Sequence, residues 1–210
     1  MTAEVFDATP CNLGEGPLWH PETKCLYWFD IVGMRLYRRR AEDFTYWQFD
    51  EHVSAAGWID ENRLLIASET ALQVFNTESG ESEFLCALES ENAATRSNDG
   101  RADPYGGFWI GTMGKSAEPG AGAVFGADGT FWIALWGAGC VTGYAPDGSV
   151  VDRFDAEGRH TSCPAFGGEN LRTLFATTAR EGIVEPDAAQ GVVYQWNTPY
   201  QGQPEHQVIL

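Results

Sequence analysis

Five short apolar runs, each entered from a tight turn and carrying an aromatic or β-branched centre, recur along the chain. They are Cys25–Trp28, Arg63–Ala67, Gly107–Gly111, Thr130–Ala134 and Thr173–Thr177. With Trp28, Ile66, Trp109, Trp132 and Phe175 as markers, the intervals are 38, 43, 23 and 43 residues. Three of these fit the ~40–50-residue period of a radially repeated four-stranded unit. The remaining interval is about half a period, so the repeat loses phase once, between Trp109 and Trp132.

Within each period the sequence reads as an up-and-down meander. Gly14–Trp19, Cys25–Asp30, Met34–Arg39 and Phe44–Phe49 are four short strands separated by turn residues, the unit of a propeller blade. Ala55–Trp58, Arg63–Ser68, Leu72–Asn76 and Ser82–Leu85 repeat the pattern, with Thr77–Gly80 as a hairpin turn. The last unit takes Ser162–Phe166, Leu171–Thr177, Val192–Trp196 and Gln207–Leu210 as strands. Glu91–Pro104 is polar without a strand period and reads as a loop. No segment carries the i, i+3, i+4, i+7 stripe of a long amphipathic helix. The chain of 210 residues, 13% aromatic and with 24 glycines, is therefore expected to be all-β and a single domain over 1–210. Its blade-like repeats are expected near 13–50, 53–88, 105–154 and 160–210, about four blades' worth of strands.

The broken phase is local. Phe108–Met113 and Gly122–Phe125 read as two strands, after which Gly126–Gly129 turns straight into another middle-type strand at Thr130–Trp136. An outer strand, further blades and an innermost strand are missing at Phe125/Gly126. Three readings are open. Either 121–125 and 130–136 join one irregular blade and a smaller ring closes, or the ring stays open and its exposed edges invite self-association by strand addition, or the parent protein has the missing stretch and this sequence does not represent it.

Charge narrows the partners. Thirteen basic against 30 acidic residues give −17, which repels nucleic acid and anionic membrane. The same acids serve solubility or line a cation site. Cys11, Cys25, Cys86, Cys140 and Cys163 are odd in number and widely spaced, which argues for buried thiols in a reducing compartment. Neither a signal sequence nor a membrane span is visible, and a cytoplasmic protein is expected. His20, His52, His160 and His206 are too scattered for metal-ligand spacing and suit surface or turn positions. Only His160 stands apart from them, because it lies at a strand entrance. Cys163 lacks a base partner, so a nucleophilic role is not favoured.

Leu13–Trp19, Arg96–Pro104, Trp109–Met113, Ala165–Gly168 and Leu171–Gly182, in this order and spacing, resemble the regucalcin/gluconolactonase (senescence marker protein) family. The resemblance covers nearly all of the chain. It implies a β-propeller related to the six-bladed lactonase type, hydrolysing a sugar lactone with one divalent cation in the central channel. Ca2+ is the first choice of ion, with Zn2+, Mg2+ and Mn2+ as alternatives. Glu15 matches a metal ligand of the family, and Arg96, Asn98 and Glu118 match substrate-binding positions. The family's other two protein ligands, an Asn and an Asp that is also its proposed base, fall in the missing stretch, so no catalytic base is assigned.

Chemistry needs oxygen ligands converging from different blades. A hard cation takes about six or more oxygens, polarises a lactone carbonyl, and leaves a carboxylate to accept the proton of the attacking water. Asn98-Asp99-Gly100 is also an ordinary turn sequence, and Asp99 and Asp103 read equally as loop-bracing acids. Arg96 suits a clamp for sugar hydroxyls or a salt bridge to a neighbouring acid. Two rival readings remain: a catalytically silent or degenerate propeller that binds a cation or small ligand, and an organophosphate-hydrolysing propeller. The second should present more channel acids and amides than this sequence holds.

Overall fold

The computed structural model describes residues 2–115, 131–145 and 147–210. After an N-terminal strand β1 (Glu4–Asp7), the first sheet comprises β2 (Gly14–Trp19), β3 (Leu26–Asp30), β4 (Arg35–Arg40) and β5 (Asp43–Gln48). The second holds β6 (Val53–Asp60), β7 (Arg63–Ser68), β8 (Ala71–Asn76) and β9 (Ser82–Ala87). β10 (Thr95–Ala102) pairs with β11 (Phe108–Gly114), and β12 (Phe131–Leu135), β13 (Cys140–Tyr144) and β14 (Val150–Asp155) form a three-stranded sheet. The last sheet contains β15 (His160–Gly167), β16 (Thr173–Ala179), β17 (Val193–Asn197) and, outermost, β1.

Every strand pair is antiparallel and, β1 apart, each sheet is a meander of consecutive strands. The expected all-β partial propeller is what the chain forms. β2, β6, β10 and β15 are the innermost strands, packed side by side. β12 lies against β15, and among the described residues no pairing joins β11 to β12.

The middle strands β3, β7 and β16 carry apolar runs because both of their faces are covered, whereas β11 leaves Trp109 73% exposed. All of β3, Leu26 to Asp30, is buried. Tyr27, Phe29, Leu64, Ile66 and Phe75 join the first two sheets. Trp28, Tyr37 and Phe175 join the first to the last, and Phe154, Leu174, Tyr194 and Trp196 join the last to the three-stranded sheet. Each such side chain contributes about 1.5–3 kcal/mol. Buried Asp30 ends β3 and accepts hydrogen bonds from the Asn12 and Leu13 amides, both at 2.9 Å, and from Gly33 at 3.0 Å. It thereby fixes the entry to β2.

Four sequence expectations change. The stretch read as a loop, Glu91–Pro104, contains β10: an innermost strand facing a polar channel shows no apolar alternation. Gln207–Leu210 is not a strand. That tail instead hydrogen-bonds to β6 and the β10–β11 turn, Val208 N to Trp58 O at 2.9 Å and Ile209 N to Gly106 O at 3.0 Å, while β1 takes the outer position. The single repeat expected over 105–154 holds strands of two sheets, β11 and β12–β14; the expected strand Gly122–Phe125 and the Phe125/Gly126 junction lie outside the described residues. Four of the five cysteines are buried, but Cys86 on outer strand β9 is exposed.

Candidate functional site

Glu15 is the second residue of β2, and the backbone around it leaves no room for other side chains. A Cβ on Gly14 would lie 2.5 Å from the Thr178 carbonyl. Gly16 has φ +54°, and a Cβ there would collide with the Ser54 carbonyl of β6. Glycine is required for that close approach. β2 is thus wedged between the last sheet and the second.

All four innermost strands are irregular at one level. The ladder shifts between Glu15 and Leu18 in β2, Val53 and Ala55 in β6, Ser97 and Gly100 in β10, and Thr161 and Pro164 in β15. Bulges of this kind re-aim side chains and cluster next to functional sites. The strands are tied together there: Ser54 Oγ donates to Ser97 Oγ at 2.8 Å, and Ser162 Oγ of β15 donates to the Gly14 carbonyl.

The β10 irregularity presents Arg96, Asn98 and Asp99. Buried Arg96 uses Nη1 to reach its neighbour's backbone, Ser97 O, at 3.0 Å and Asn98 Oδ1 at 2.9 Å. Burial lowers its pKa, while the fields of Glu15, Glu181 and Glu69 hold it charged. Asp99 Oδ1 accepts the Gly100 amide at 2.8 Å. Glu15 is half-buried, and its carboxyl is pushed up to about 8, first by burial and then by Asp99, against the opposing field of Arg96. Glu15 of β2 thus lies within the electrostatic reach of Arg96 and Asp99 of β10. Asn98 is present but its amide oxygen is engaged by Arg96. Glu118 lies outside the described residues.

Sequence reasoning missed the residues beneath. Arg101, two residues beyond Asp99, pairs with Glu205 of the C-terminal tail at 2.5 Å. It also reaches the Pro17 carbonyl of β2 at 3.3 Å and the Pro164 carbonyl of β15 at 3.5 Å. One guanidinium thus spans three inner strands and marks how narrow the channel is. Cys163 faces the same cluster; burial, with Asp99 and Glu15 next, raises its thiol well above the usual range and keeps it protonated. The period-two step from Asp99 to Arg101 is the available signal, hidden because the stretch as a whole reads as a loop.

Whether a divalent cation fits is a question of donors. Glu15 and Asp99 are hard oxygen donors in one another's field, with Glu15's charge disfavoured as it stands, and a cation relieves that. Among the described residues no group of three or more His, Cys, Asp or Glu side chains gathers in metal-binding geometry, so waters or substrate would complete the shell.

The sequence matches the family described as SMP-30/Gluconolactonase/LRE-like region over residues 13–129 and 122–180. The chain belongs to that family. An L-arabinolactonase of Azospirillum brasilense is 34% identical, over 89% of this chain and 66% of its own length. The pentonolactonase XacC of Haloferax volcanii is 25% identical, over 98% of this chain and 97% of its own. Among solved structures, a calcium-binding regucalcin of Agrobacterium tumefaciens superposes with a TM-score of 0.90 at 26% identity, over 98% of this chain and 97% of that one. Against this family background the half-period interval acquires a location. The two matched stretches overlap at 122–129, astride Phe125/Gly126. The pentonolactonase alignment runs to 285 positions for a chain of 210, so that relative carries residues with no counterpart here.

Proposed function

We propose that this chain hydrolyses a sugar lactone, using one divalent cation held at Glu15 beside Asp99. The observation that carries the reading is the convergence of Glu15, Arg96 and Asp99 at the irregular level of the inner strands, within a family whose members include an L-arabinolactonase and a pentonolactonase. When bound, the cation supplies positive charge to the lactone carbonyl oxygen as water attacks. Glu15 holds the ion. Arg96, its guanidinium aimed by Ser97 and Asn98, binds substrate oxygens. Asp99 is the carboxylate in reach to take the proton of the attacking water. Ca2+ is the favoured ion, because the donors are carboxylates without imidazole or thiolate.

The test is hydrolysis of D-glucono-1,5-lactone by the purified chain during a Ca2+ titration, repeated with Glu15→Gln. Cation-dependent turnover lost in Glu15→Gln supports the enzyme. The small number of acids at the site favours a second reading, a propeller that binds a cation or small ligand without turnover. A folded chain with Ca2+ affinity and no hydrolysis establishes that one.

A further inference from the structure

Trp136 follows β12, is 51% exposed, and forms an isolated antiparallel bridge with His160. Its indole stacks on the His160 imidazole, with centroids 4.4 Å apart and planes 21° from parallel. His160 Nδ1 lies 2.8 Å from the Glu181 carbonyl oxygen, so it donates there, which fixes the ring at its edge. One face of the indole is therefore backed by a held aromatic ring, and the exposed remainder is free. The next residue, Gly137, has φ +80° and open space where a side chain would stand.

Ser162 and Glu181 link this stack to the site already described. His160 opens β15, and two residues on, Ser162 Oγ donates to the Gly14 carbonyl beside Glu15. The Glu181 amide donates to the Asn12 carbonyl at 2.9 Å, and its carboxylate acts on both Glu15 and Arg96. We propose that Trp136, braced by His160, is the stacking platform that binds the ring face of the sugar lactone; this rests on the lactonase reading above. Sugar rings present a face of C–H bonds that packs on an aromatic plane, while their hydroxyls need a polar rim, and Glu181 with Arg96 provides one. A platform that packs on the ring's C–H face holds ground state and transition state alike, so it acts on KM and not on kcat.

The test uses D-glucono-1,5-lactam, a ring that does not hydrolyse, as binding probe, with D-glucono-1,5-lactone kinetics beside it. Trp136→Ala should weaken lactam binding and raise KM about tenfold while kcat stays within about twofold, and Trp136→Phe should recover most of the loss. Trp136→Leu keeps apolar bulk without an aromatic face and carries the same expectation as Ala, which separates lost stacking from lost packing. Lactam binding unchanged in Trp136→Ala and Trp136→Leu overturns the platform. Hydrolysis retained with KM unchanged in both overturns it too and leaves the lactonase reading standing. Lactam binding that depends on Trp136 in a chain without turnover supports the platform and removes the lactonase reading. Neither binding nor hydrolysis removes both.

Discussion

Arg101 Nη1 and Glu205 Oε1 lie 2.5 Å apart although 104 residues separate them in sequence. The contact ties β10 to the C-terminal tail. The tail is held as well by the Trp58 indole donating to the Glu205 carbonyl at 2.9 Å, and by Val208, 3% exposed among Ile59, Leu65 and Ala102.

Arg101→Leu should therefore destabilise the chain by about 2–3 kcal/mol, below the ~3–5 of a fully buried pair because Arg101 keeps some solvent access. Glu205→Gln should cost less, since the amide still accepts from the guanidinium. The double change Arg101→Leu/Glu205→Leu should recover part of the loss. Urea melts of the four proteins check this.

Glu15 gives a pH signature in cation-free protein. Its folded pKa is raised to about 8, so between about pH 4.5, where the unfolded carboxyl loses its proton, and pH 8 the folded state binds more protons. Stability must fall with rising pH across that window, whereas Glu15→Gln should flatten the slope. Full coupling is worth about 1.4 kcal/mol per pKa unit, and solvent access to the half-buried carboxyl trims it. Thermal melts in EDTA at pH 5 and pH 8 read the difference, and Ca2+ should restore the wild-type melting temperature at pH 8.

Asp99→Asn should remove most hydrolysis while leaving the fold intact, because the amide preserves the Oδ1 acceptor for Gly100 but takes up no proton. A loss of about 10²-fold or more in kcat is expected; retained kcat excludes Asp99 as the base.

Gly16→Ala puts a methyl group into the Ser54 carbonyl at a left-handed backbone position. A loss of at least about 1–2 kcal/mol is expected, with β2 and Glu15 displaced together. Differential scanning calorimetry and lactone hydrolysis should fall in step.

Cys86 should react with a thiol reagent in native protein, and all five cysteines only after unfolding. Cys11 and Cys163 are doubly protected, by burial and by a raised thiol pKa.

The period of the apolar runs makes the sheets legible because β3, β7 and β16 are buried on both faces, so that Trp28, Ile66 and Phe175 announce themselves. The innermost strand β10 does not: it has Arg96, Asn98, Asp99 and Arg101 along its length and looks like loop. Outer strands pack on one neighbour, so β1 carries little signal and the apolar Val208–Leu210 reads as its equivalent. Glu15 and Arg96 are picked out as candidates through the family resemblance alone. Arg101–Glu205 and Trp136–His160 are products of the tertiary fold, joining residues that no local pattern connects.

The pairing of Glu4 with Gln195 and Val5 with Tyr194 has a consequence for folding. The last sheet borrows its outer edge from a strand that lies far upstream of its other three, so it stays incomplete until segments remote in sequence have met. The other sheets are built from consecutive strands, whereas this clasp pairs segments far apart in sequence, the kind of contact that is costly to close.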